Sequence, residues 1–352
     1  MRIHSNNYLG AEQYFFKKTG LKIIKGHLSV QKINKKVSII IPVYNNPDSL
    51  RKVLVALQEQ KIPDGLHKNI EIVIVDDGSR DYNQLFDIIR KGSKLFKTTI
   101  ARFAINQGRS AARNLGLLLS KGKIIIFLDA DIIPNKFWLI SHVLRQGLCN
   151  KIATIGFNQT ILSTDPLISI ENLSKNFKKI NPDYRKDFRY SKYVPISWHK
   201  TRPEIRVENF NKTYRLIEDT NFFKNFNFPE TIGVWDLPSM FLTGNVALRR
   251  SAITEVGGFD MDFRGWGMED THLGYKLIKS GVFLIPLLSS SAFHVKKRET
   301  DTSKRRWEFK RNLSLYKRKL QEPLKKLTES DFYREVGRKF KNKYKTTLIR
   351  DD

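Results

Sequence analysis

The stretch Lys123-Ile124-Ile125-Ile126-Phe127-Leu128-Asp129-Ala130-Asp131 decides the fold, because an unbroken apolar run ends abruptly in two carboxylates. A short run of β-branched and aromatic residues is typical of a strand that is buried on both faces. Strands of this kind occur in parallel sheets that helices cover on both sides. The stretch therefore predicts a central strand whose polar end opens onto a site.

Three further apolar runs, joined by helical patterns, accompany this strand. Asn46 and Pro47 are typical of a helix cap followed by proline at the first helical position. A second helix is expected at 109–120, directly before the opening stretch. The runs lie at 37–41, 70–75 and 99–104. Strands that alternate with helices predict an α/β fold, with a mostly parallel, Rossmann-like central sheet and helices on both faces.

Polar residues collect where these strands end. Tyr44 and Asn45 follow the first strand, and Asp76-Asp77-Gly78-Ser79 follows the second. Because ligands of such sheets bind at the carboxyl ends of the strands, we expect these residues to converge on one cleft with Asp129 and Asp131. Taken alone, the Asp-Asp-Gly-Ser segment is better explained as a turn, since these residue types favour turns.

Asp129 and Asp131 lie two residues apart, and such residues share one face of a strand. Their carboxylates are hard oxygen ligands suited to Mg²⁺ or Mn²⁺, and without a cation they would repel each other. As an isolated tripeptide the motif is common and weak. It predicts a metal site only in combination with the other strand ends.

The composition is that of a basic globular protein. The chain has 352 residues, of which 40% are hydrophobic, enough for one large α/β domain or two smaller ones. Its 63 Lys and Arg against 35 Asp and Glu give a formal charge of +28, which favours a nucleotide, a nucleic acid, an acidic peptide or an anionic lipid as partner. Cys149 is the single cysteine, which excludes an intrachain disulfide and a thiolate metal cluster.

Both ends of the chain bear on where the protein acts. The first residues lack the apolar core of a signal peptide, and no apolar run approaches the roughly 20 residues of a membrane span. This predicts a cytoplasmic protein. Residues 296–345 contain 19 basic and 7 acidic residues, and their apolar residues have loosely helical spacing. One or two amphipathic helices are expected there, either packed on the domain with a solvated face, or docked to an acidic partner or to the inner face of an anionic membrane.

The pattern divides the chain into five parts. The middle part mixes basic residues with aromatic ones, which suggests either an acceptor surface or a solvated insertion anchored by a few aromatics. The parts are an N-terminal extension (1–35), a first half of the domain (36–157), the middle insertion (158–240), a second half (241–296) and a basic helical C-terminal extension (297–352).

A second set of carboxylates stands in Gly265-Trp266-Gly267-Met268-Glu269-Asp270, at the start of an expected helix. Glycines let a backbone approach a ligand closely, and a tryptophan offers a flat apolar face that suits a sugar ring. Two carboxylates behind such a face predict a catalytic base. The alternatives are that the acids only complement a helix N-terminus and that Trp266 packs in the core.

His294 is expected to follow the last predicted strand, at 282–287, after a short turn. A single histidine is more often structural than a ligand. If it reaches the cation of Asp131, the mixed oxygen and imidazole set favours Mn²⁺ over Mg²⁺, which prefers oxygen and water.

Together these segments resemble a known family. The segments 38–45, 75–79, 106–114 and 128–131 are similar, in order and spacing, to the successive signatures of family 2 glycosyltransferases with the GT-A fold. The segments 243–247 and 257–270 resemble the C-terminal half shared by β-1,4-galactosyltransferases and bacterial chondroitin-type polymerases. Met268 departs from those relatives, which often carry a glycine there.

The resemblance implies a role for each matching residue. Asp270 would be the catalytic base, and Asp131 and His294 would hold the Mn²⁺, with Mg²⁺ as the alternative ion. Acceptor binding would fall to Trp266, Gly267, Met268 and Glu269. The nucleotide-sugar would be bound by Pro42, Tyr44, Asn45, Asp77, Arg113, Asp129, Ala130, Gly244 and Asn245.

The implied activity is inverting, metal-dependent transfer of a sugar from a UDP-sugar to an acceptor hydroxyl. A cell-surface glycan or a lipid-linked sugar is the expected acceptor, and a peptide or protein is the alternative. A more remote alternative is a nucleic-acid-binding protein on an inactive GT-A fold, which the charge suggests but no RNA or DNA motif supports. No nucleic-acid partner is therefore expected. No second GT-A domain follows the first, so we expect one sugar to be added per acceptor site.

Overall fold

The computed structural model describes residues 8–22, 24–25, 36–183, 186–187, 213–218, 236–296 and 302–350. Most of the basic and aromatic residues that suggested an acceptor surface in the middle of the chain, such as Arg185, Arg189 and Trp198, lie outside these ranges. That prediction is therefore left as it stands.

Strands and helices alternate through the first half, as the sequence predicts. The strands are β1 (Ile24–Lys25), β2 (Val37–Val43), β3 (Ile70–Asp76), β4 (Lys97–Phe103), β5 (Ile124–Leu128), β6 (Ile132–Pro134), β7 (Ile152–Leu162), β8 (Thr213–Tyr214), β9 (Asn245–Arg249), β10 (Phe283–Lys296) and β11 (Tyr344–Arg350). The α-helices are α1 (Tyr8–Thr19), α2 (Pro47–Gln58), α3 (Tyr82–Gly92), α4 (Arg109–Leu119), α5 (Trp138–Leu148), α6 (Ile170–Asn176), α7 (Arg250–Glu255), α8 (Glu269–Lys279), α9 (Thr302–Lys319) and α10 (Glu329–Phe340).

One sheet of nine strands organises the described part of the chain, in the order β11-β4-β3-β2-β5-β9-β7-β10-β6. The four predicted strands β2 to β5 are neighbours, and they run parallel to one another. Every residue of β5 is buried, because both faces of the sheet are covered there. The α/β fold with a largely parallel central sheet is confirmed.

The second half extends the sheet with strands of both directions. β9 runs antiparallel between β5 and β7, whereas β7 and β10 pair in parallel. The sequence patterns did not indicate β7, which spans residues 152–162 and continues past the boundary drawn after residue 157. This part of the sheet therefore reaches into the segment interpreted as an insertion.

The expected turn before His294 is wrong, because β10 continues to Lys296 and His294 lies inside it. Its register is irregular between Leu287 and Ala292, where three serines stand. Three serines are typical of a turn, but here several of their polar groups form hydrogen bonds inside the protein. The Ser289 backbone N–H donates to Glu218, and the Ser290 hydroxyl donates to the carbonyl of Trp138.

The C-terminal extension consists of the two expected helices and one strand that was not expected. β11 pairs antiparallel with β4 and forms an edge of the sheet. Its lysine and arginine obscured the strand pattern, although charged residues are common on edge strands. Within the described ranges, no helix combines the length and the apolar character that crossing a bilayer requires.

Candidate active site

A cleft of about 310 Å³ opens at the carboxyl ends of β2, β3 and β5. It lies where ligands bind in parallel sheets, because these strand ends leave a crevice that helices do not fill. Seven of the predicted site residues line it, namely Pro42, Tyr44, Asp77, Asp129, Ala130, Asp131 and Trp266. The structure thus brings the strand-end residues and the tryptophan of the second carboxylate segment together.

Sequence reasoning missed several residues of this cleft. Asn106, Gly108 and Arg109 line it from the start of α4, and their signal was present in the segment 106–114. Arg305 and Glu308 line it from α9, in a region interpreted only as a basic extension. No sequence pattern pointed to these last two, because their position depends on how α9 packs.

Asp77 fixes the loop that leads into α4. Its carboxylate accepts hydrogen bonds from the backbone N–H groups of Gln107 (2.6 Å) and Gly108 (2.9 Å) and from the side-chain amide of Asn106 (2.9 Å). Burial raises the pKa of Asp77 to about 6, and the backbone hydrogen bonds oppose this shift. Asp77 therefore shapes the cleft as well as lining it.

Asn45 and Asn245, both predicted to bind the nucleotide-sugar, are not among the residues that line the cleft and make contacts within the protein. The Asn45 side chain accepts a hydrogen bond from the Arg80 backbone N–H at 2.9 Å and ties two strand-end loops together. Asn245 is fully buried, and its amide bonds to Trp138 and His142 on α5 as well as to Asn158 on β7. Both asparagines hold neighbouring elements of the structure together.

Arg113 is a buried cation that joins the two groups of carboxylates. Its guanidinium donates to Asp129 at 2.8 Å, to Asp270 at 3.2 Å and to Glu269 at 3.5 Å. Burial alone would lower the pKa of Arg113, but the three carboxylates raise it above its ordinary value. Arg113 is not a cleft residue, so it would act on a nucleotide only through Asp129.

Asp129 also depends on the absence of a side chain at Gly244. A Cβ there would lie 3.0 Å from the Asp129 carboxylate, and the Gly244 carbonyl accepts the Asp129 backbone N–H at 3.2 Å. Burial opposes ionisation of Asp129, yet the Arg113 guanidinium holds its pKa below the usual value. Gly244 thus contributes space and a backbone contact rather than a ligand contact.

Asp270 is not among the residues that line the cleft, and 17% of its side chain is exposed. Its Oδ1 accepts hydrogen bonds from Arg113 and from the Thr243 hydroxyl, whereas its Oδ2 has no hydrogen-bond donor among the described residues. Burial raises its pKa to about 7, against the effect of Arg113, and the negative charges of Glu269 and Asp129 contribute to the increase. The loss of hydration on burial therefore outweighs the stabilisation of the ionised carboxylate by Arg113.

Asp131 lines the cleft, and His294 lies beside it with 3.8 Å between Oδ2 of Asp131 and Nε2 of His294. Burial raises the pKa of Asp131, and His294 partly offsets this. Their position follows from strand pairing, because His294 pairs with Ile132 directly after Asp131. A carboxylate and an imidazole at this separation fit a shared divalent cation, whose other ligands a nucleotide diphosphate could supply. No cluster of three or more ligating side chains occurs within the described ranges.

The segment from Phe263 to Met268, here called the acceptor loop for its predicted role, packs against α9. The Asn312 amide is fully buried and donates to the carbonyls of Arg264, Trp266 and Gly267 at 2.9 to 3.2 Å. Gly265 and Gly267 both have positive φ, and a Cβ at either position would come within 3 Å of an α9 side chain. The glycines are thus required by the approach of α9, not only by a ligand.

Comparison with known proteins agrees with this geometry. Residues 38–160 match the family described as "Glycosyl transferase family 2", and residues 235–297 match "N-terminal domain of galactosyltransferase". The first range contains β2 to β7 with the donor-side carboxylates, and the second contains the acceptor loop, Asp270 and His294. The chain contains a family 2 glycosyltransferase domain.

Relatives of this domain include chondroitin synthase of Pasteurella multocida (strain Pm70), 29% identical over 80% of this chain and 28% of the relative. Hyaluronan synthase of Pasteurella multocida is 30% identical over 75% of this chain and 25% of the relative. The chain therefore spans only about a quarter of the length of these two proteins.

Solved structures show the same fold. S. aureus TarS 1-349 in complex with UDP-GlcNAc superposes with a TM-score of 0.51 at 17% identity, over 88% of this chain and 72% of that chain. GalNAc-T7 with UDP, GalNAc and Mn²⁺ gives a TM-score of 0.51 at 18% identity, over 75% of this chain and 44% of that chain. The glycosyltransferase domain of this chain therefore has the GT-A fold.

Proposed function

We propose that the protein is an inverting, metal-dependent glycosyltransferase that moves a sugar from a UDP-sugar to a hydroxyl of a glycan or glycolipid acceptor. One observation carries the proposal: strand-end carboxylates, Tyr44 and Trp266 line one cleft. Arg113 joins Asp129 of this cleft to Asp270. A donor and an acceptor must meet in this way for direct transfer.

The donor side suits a nucleotide. Tyr44 is 47% exposed and offers an aromatic surface to a base, and Asp77 lies beside it. Arg113 holds the carboxylate of Asp129 in place, so that its oxygens can accept hydrogen bonds from ribose hydroxyls. TarS binds UDP-GlcNAc with the same fold, which supports a UDP-sugar as donor here.

Asp131 and His294 would hold the divalent cation, and Mn²⁺ is favoured over Mg²⁺ because one ligand is an imidazole. When bound, such an ion offsets the negative charge that develops on a departing diphosphate. The protein then needs no general acid on that side. GalNAc-T7 with UDP and Mn²⁺ shares the fold, which supports a divalent metal in this site.

Asp270 would act as the base. As the acceptor oxygen bonds to the anomeric carbon, the bond from that carbon to the diphosphate breaks, and the hydroxyl proton passes to Oδ2 of Asp270. Oδ1 stays bound to Thr243 and Arg113, which orients the carboxylate. A pKa of about 7 makes this carboxylate a stronger base than an ordinary aspartate, with a sufficient ionised fraction at neutral pH.

A sugar hydroxyl is the proposed acceptor. Trp266 is 40% exposed at the cleft and suits the apolar face of a sugar ring. The relatives named chondroitin synthase and hyaluronan synthase support a growing cell-surface glycan as acceptor. Glu269 is buried against Arg113 and Arg109, so we assign it to holding the base in place through these cations rather than to direct contact.

The test is UDP release from a panel of UDP-sugars, with and without Mn²⁺, on the wild type and on Asp270→Asn. We expect metal-dependent release in the wild type and a decrease of about 10²- to 10⁴-fold in the variant, because the base is lost while the shape is kept. Asp131→Ala should abolish the metal response.

Asp87→Asn is the matched control, because Asp87 is an exposed aspartate on α3 whose ion pair is with Arg90, one turn along the same helix. It should retain full activity. Unchanged turnover in Asp270→Asn would refute the assignment of the base, and activity that survives both chelation and Asp131→Ala would refute the metal dependence.

A further inference from the structure

Helix α9 contributes to the cleft although it lies outside both regions matched by the family comparisons. Those regions end at residues 160 and 297, whereas α9 begins at Thr302. Its first turns nevertheless bring Glu308 into the cleft beside Trp266. Glu308 is the single acidic residue among the eighteen of this helix, which otherwise presents many lysines and arginines.

One of the two oxygens of the Glu308 carboxylate is held by a hydrogen bond. Its Oε2 accepts the backbone N–H of Trp266 at 3.0 Å. The carboxylate lies directly against the acceptor loop, since a Cβ on Gly265 would come within 2.5 Å of its Cδ. In the part of the chain that the structure describes, Oε1 makes no hydrogen bond or ion pair. A fixed carboxylate therefore has one acceptor oxygen available at the cleft.

Two aromatic side chains lie close to this carboxylate. Trp266 stands against Phe309, with ring centroids 5.5 Å apart, so α9 orients the indole through the residue next to Glu308. An exposed indole suits the apolar face of a sugar, and a carboxylate accepts strong, charge-assisted hydrogen bonds from hydroxyls at the edge of the ring. The two side chains thus combine an apolar face with a hydrogen-bond acceptor, which are the two features that suit a sugar ring.

We propose that Glu308 is a specificity-determining residue that accepts a hydrogen bond from a hydroxyl of the acceptor sugar stacked on Trp266. The proposal rests on the proposed function in one respect, namely that this sugar is the acceptor of the transfer. A purely structural role would be limited to anchoring the Trp266 backbone. Glutamine can keep that anchor through its amide oxygen, but it loses the charge.

The experiment measures glycan binding directly, without turnover. Wild type, Glu308→Gln and Glu308→Ala are applied, in the presence of UDP, to an array of immobilised hexose, N-acetylhexosamine and hexuronic acid mono-, di- and oligosaccharides. We expect the wild type to bind a subset of these sugars, and Glu308→Gln to bind them about tenfold more weakly at an unchanged melting temperature. Glu59→Gln, at the exposed far end of α2, is the matched control and should bind like the wild type.

The outcomes separate this inference from the proposed function. Equal binding by wild type and Glu308→Gln would overturn the inference, and so would a wild type that binds none of the sugars. If binding depends on Glu308 but the wild type turns over no UDP-sugar, only the proposed function fails. In an active enzyme, Glu308→Gln should raise the KM for the acceptor and leave the KM for the donor unchanged, a division that a loosened fold would not produce.

Discussion

The two sides of the cleft are built by different means. On the donor side, Tyr44, Asp77, Asp129 and Asp131 follow directly from the ends of neighbouring parallel strands, so the topology of the sheet brings them together. The acceptor loop follows no strand end. Its place depends on Asn312, a residue about 45 positions later in the chain, which bonds to three of its carbonyls. Backbone topology therefore fixes one side, and side-chain contacts with a separate helix fix the other.

Arg113 is the point at which the two sides meet, so its removal should have the largest effect. Arg113→Ala leaves Asp129, Glu269 and Asp270 without their shared cation in a buried site. We expect the free energy of unfolding to decrease by about 3–5 kcal/mol, because unpaired buried charges are strongly destabilising. Urea denaturation followed by circular dichroism measures this.

Arg109→Ala is the control for that variant. Arg109 is half-exposed and lies 3.9 Å from Glu269, so its loss should cost less than about 1 kcal/mol. If Arg113→Ala were as stable as Arg109→Ala, the two sides of the cleft would not be coupled through this guanidinium.

Asn312→Leu tests whether α9 holds the acceptor loop. Three carbonyls would lose their donor, at a cost of about 1–3 kcal/mol, and the loop should loosen while the donor side stays intact. Hydrogen exchange should become faster at the amides of 264–268 and remain unchanged in β2, β3 and β5. Ser314→Ala, on the exposed side of the same helix, is the control. Equal acceleration in all these segments would contradict local anchoring.

This contrast explains what the sequence could predict. The apolar runs of β2 to β5 and the polar residues that follow them have a local signal, and a parallel sheet converts that signal into a cleft. The positions of Glu308 and Asn312 at this site have no such local signal, because they depend on how α9 packs against the rest of the protein. Asn245 shows a related effect: its neighbours in sequence suggested a ligand contact, whereas in the structure its amide oxygen bonds to Trp138 and His142.

Two further errors have the same physical origin. The serines in β10 and the lysine and arginine of β11 are residue types that patterns associate with turns and solvated helices. Their long-range partners, Glu218 for the Ser289 backbone and β4 for the edge strand, override this local preference.

The pKa of Asp270 also depends on both sides of the cleft, because charged groups from both sides lie near its carboxylate. Arg113 lowers its pKa and Glu269 and Asp129 raise it, while burial is the largest influence and brings the value to about 7. The base must be ionised, so kcat/KM should decrease about tenfold per pH unit below roughly pH 7. A rate that stays constant down to pH 5.5 would contradict this assignment.

The same shift has a consequence for stability. A carboxyl whose folded-state pKa is raised stabilises the fold below its unfolded pKa, near 3.8, and this stabilisation is lost as pH rises through about 7. Asp270→Asn should therefore melt at a higher temperature than the wild type at pH 8, with a smaller difference at pH 5. Thermal unfolding at the two pH values measures this.

Met268 should give the smallest effect and the finest test of how the acceptor loop is held. It stands directly before α8 with φ = 73°, a left-handed conformation in which a residue with a side chain is strained by about 1 kcal/mol. Its side chain packs near Phe263 and Tyr316. Alanine would lose the packing and keep the strain, whereas glycine would lose the packing and relieve the strain. We therefore expect Met268→Gly to be about 1 kcal/mol more stable than Met268→Ala.

At Ser314, inside α9, the order should reverse, because alanine is favoured over glycine in a helix by about 1 kcal/mol. The same order at both positions, measured by urea denaturation, would mean that the loop does not impose this conformation on residue 268.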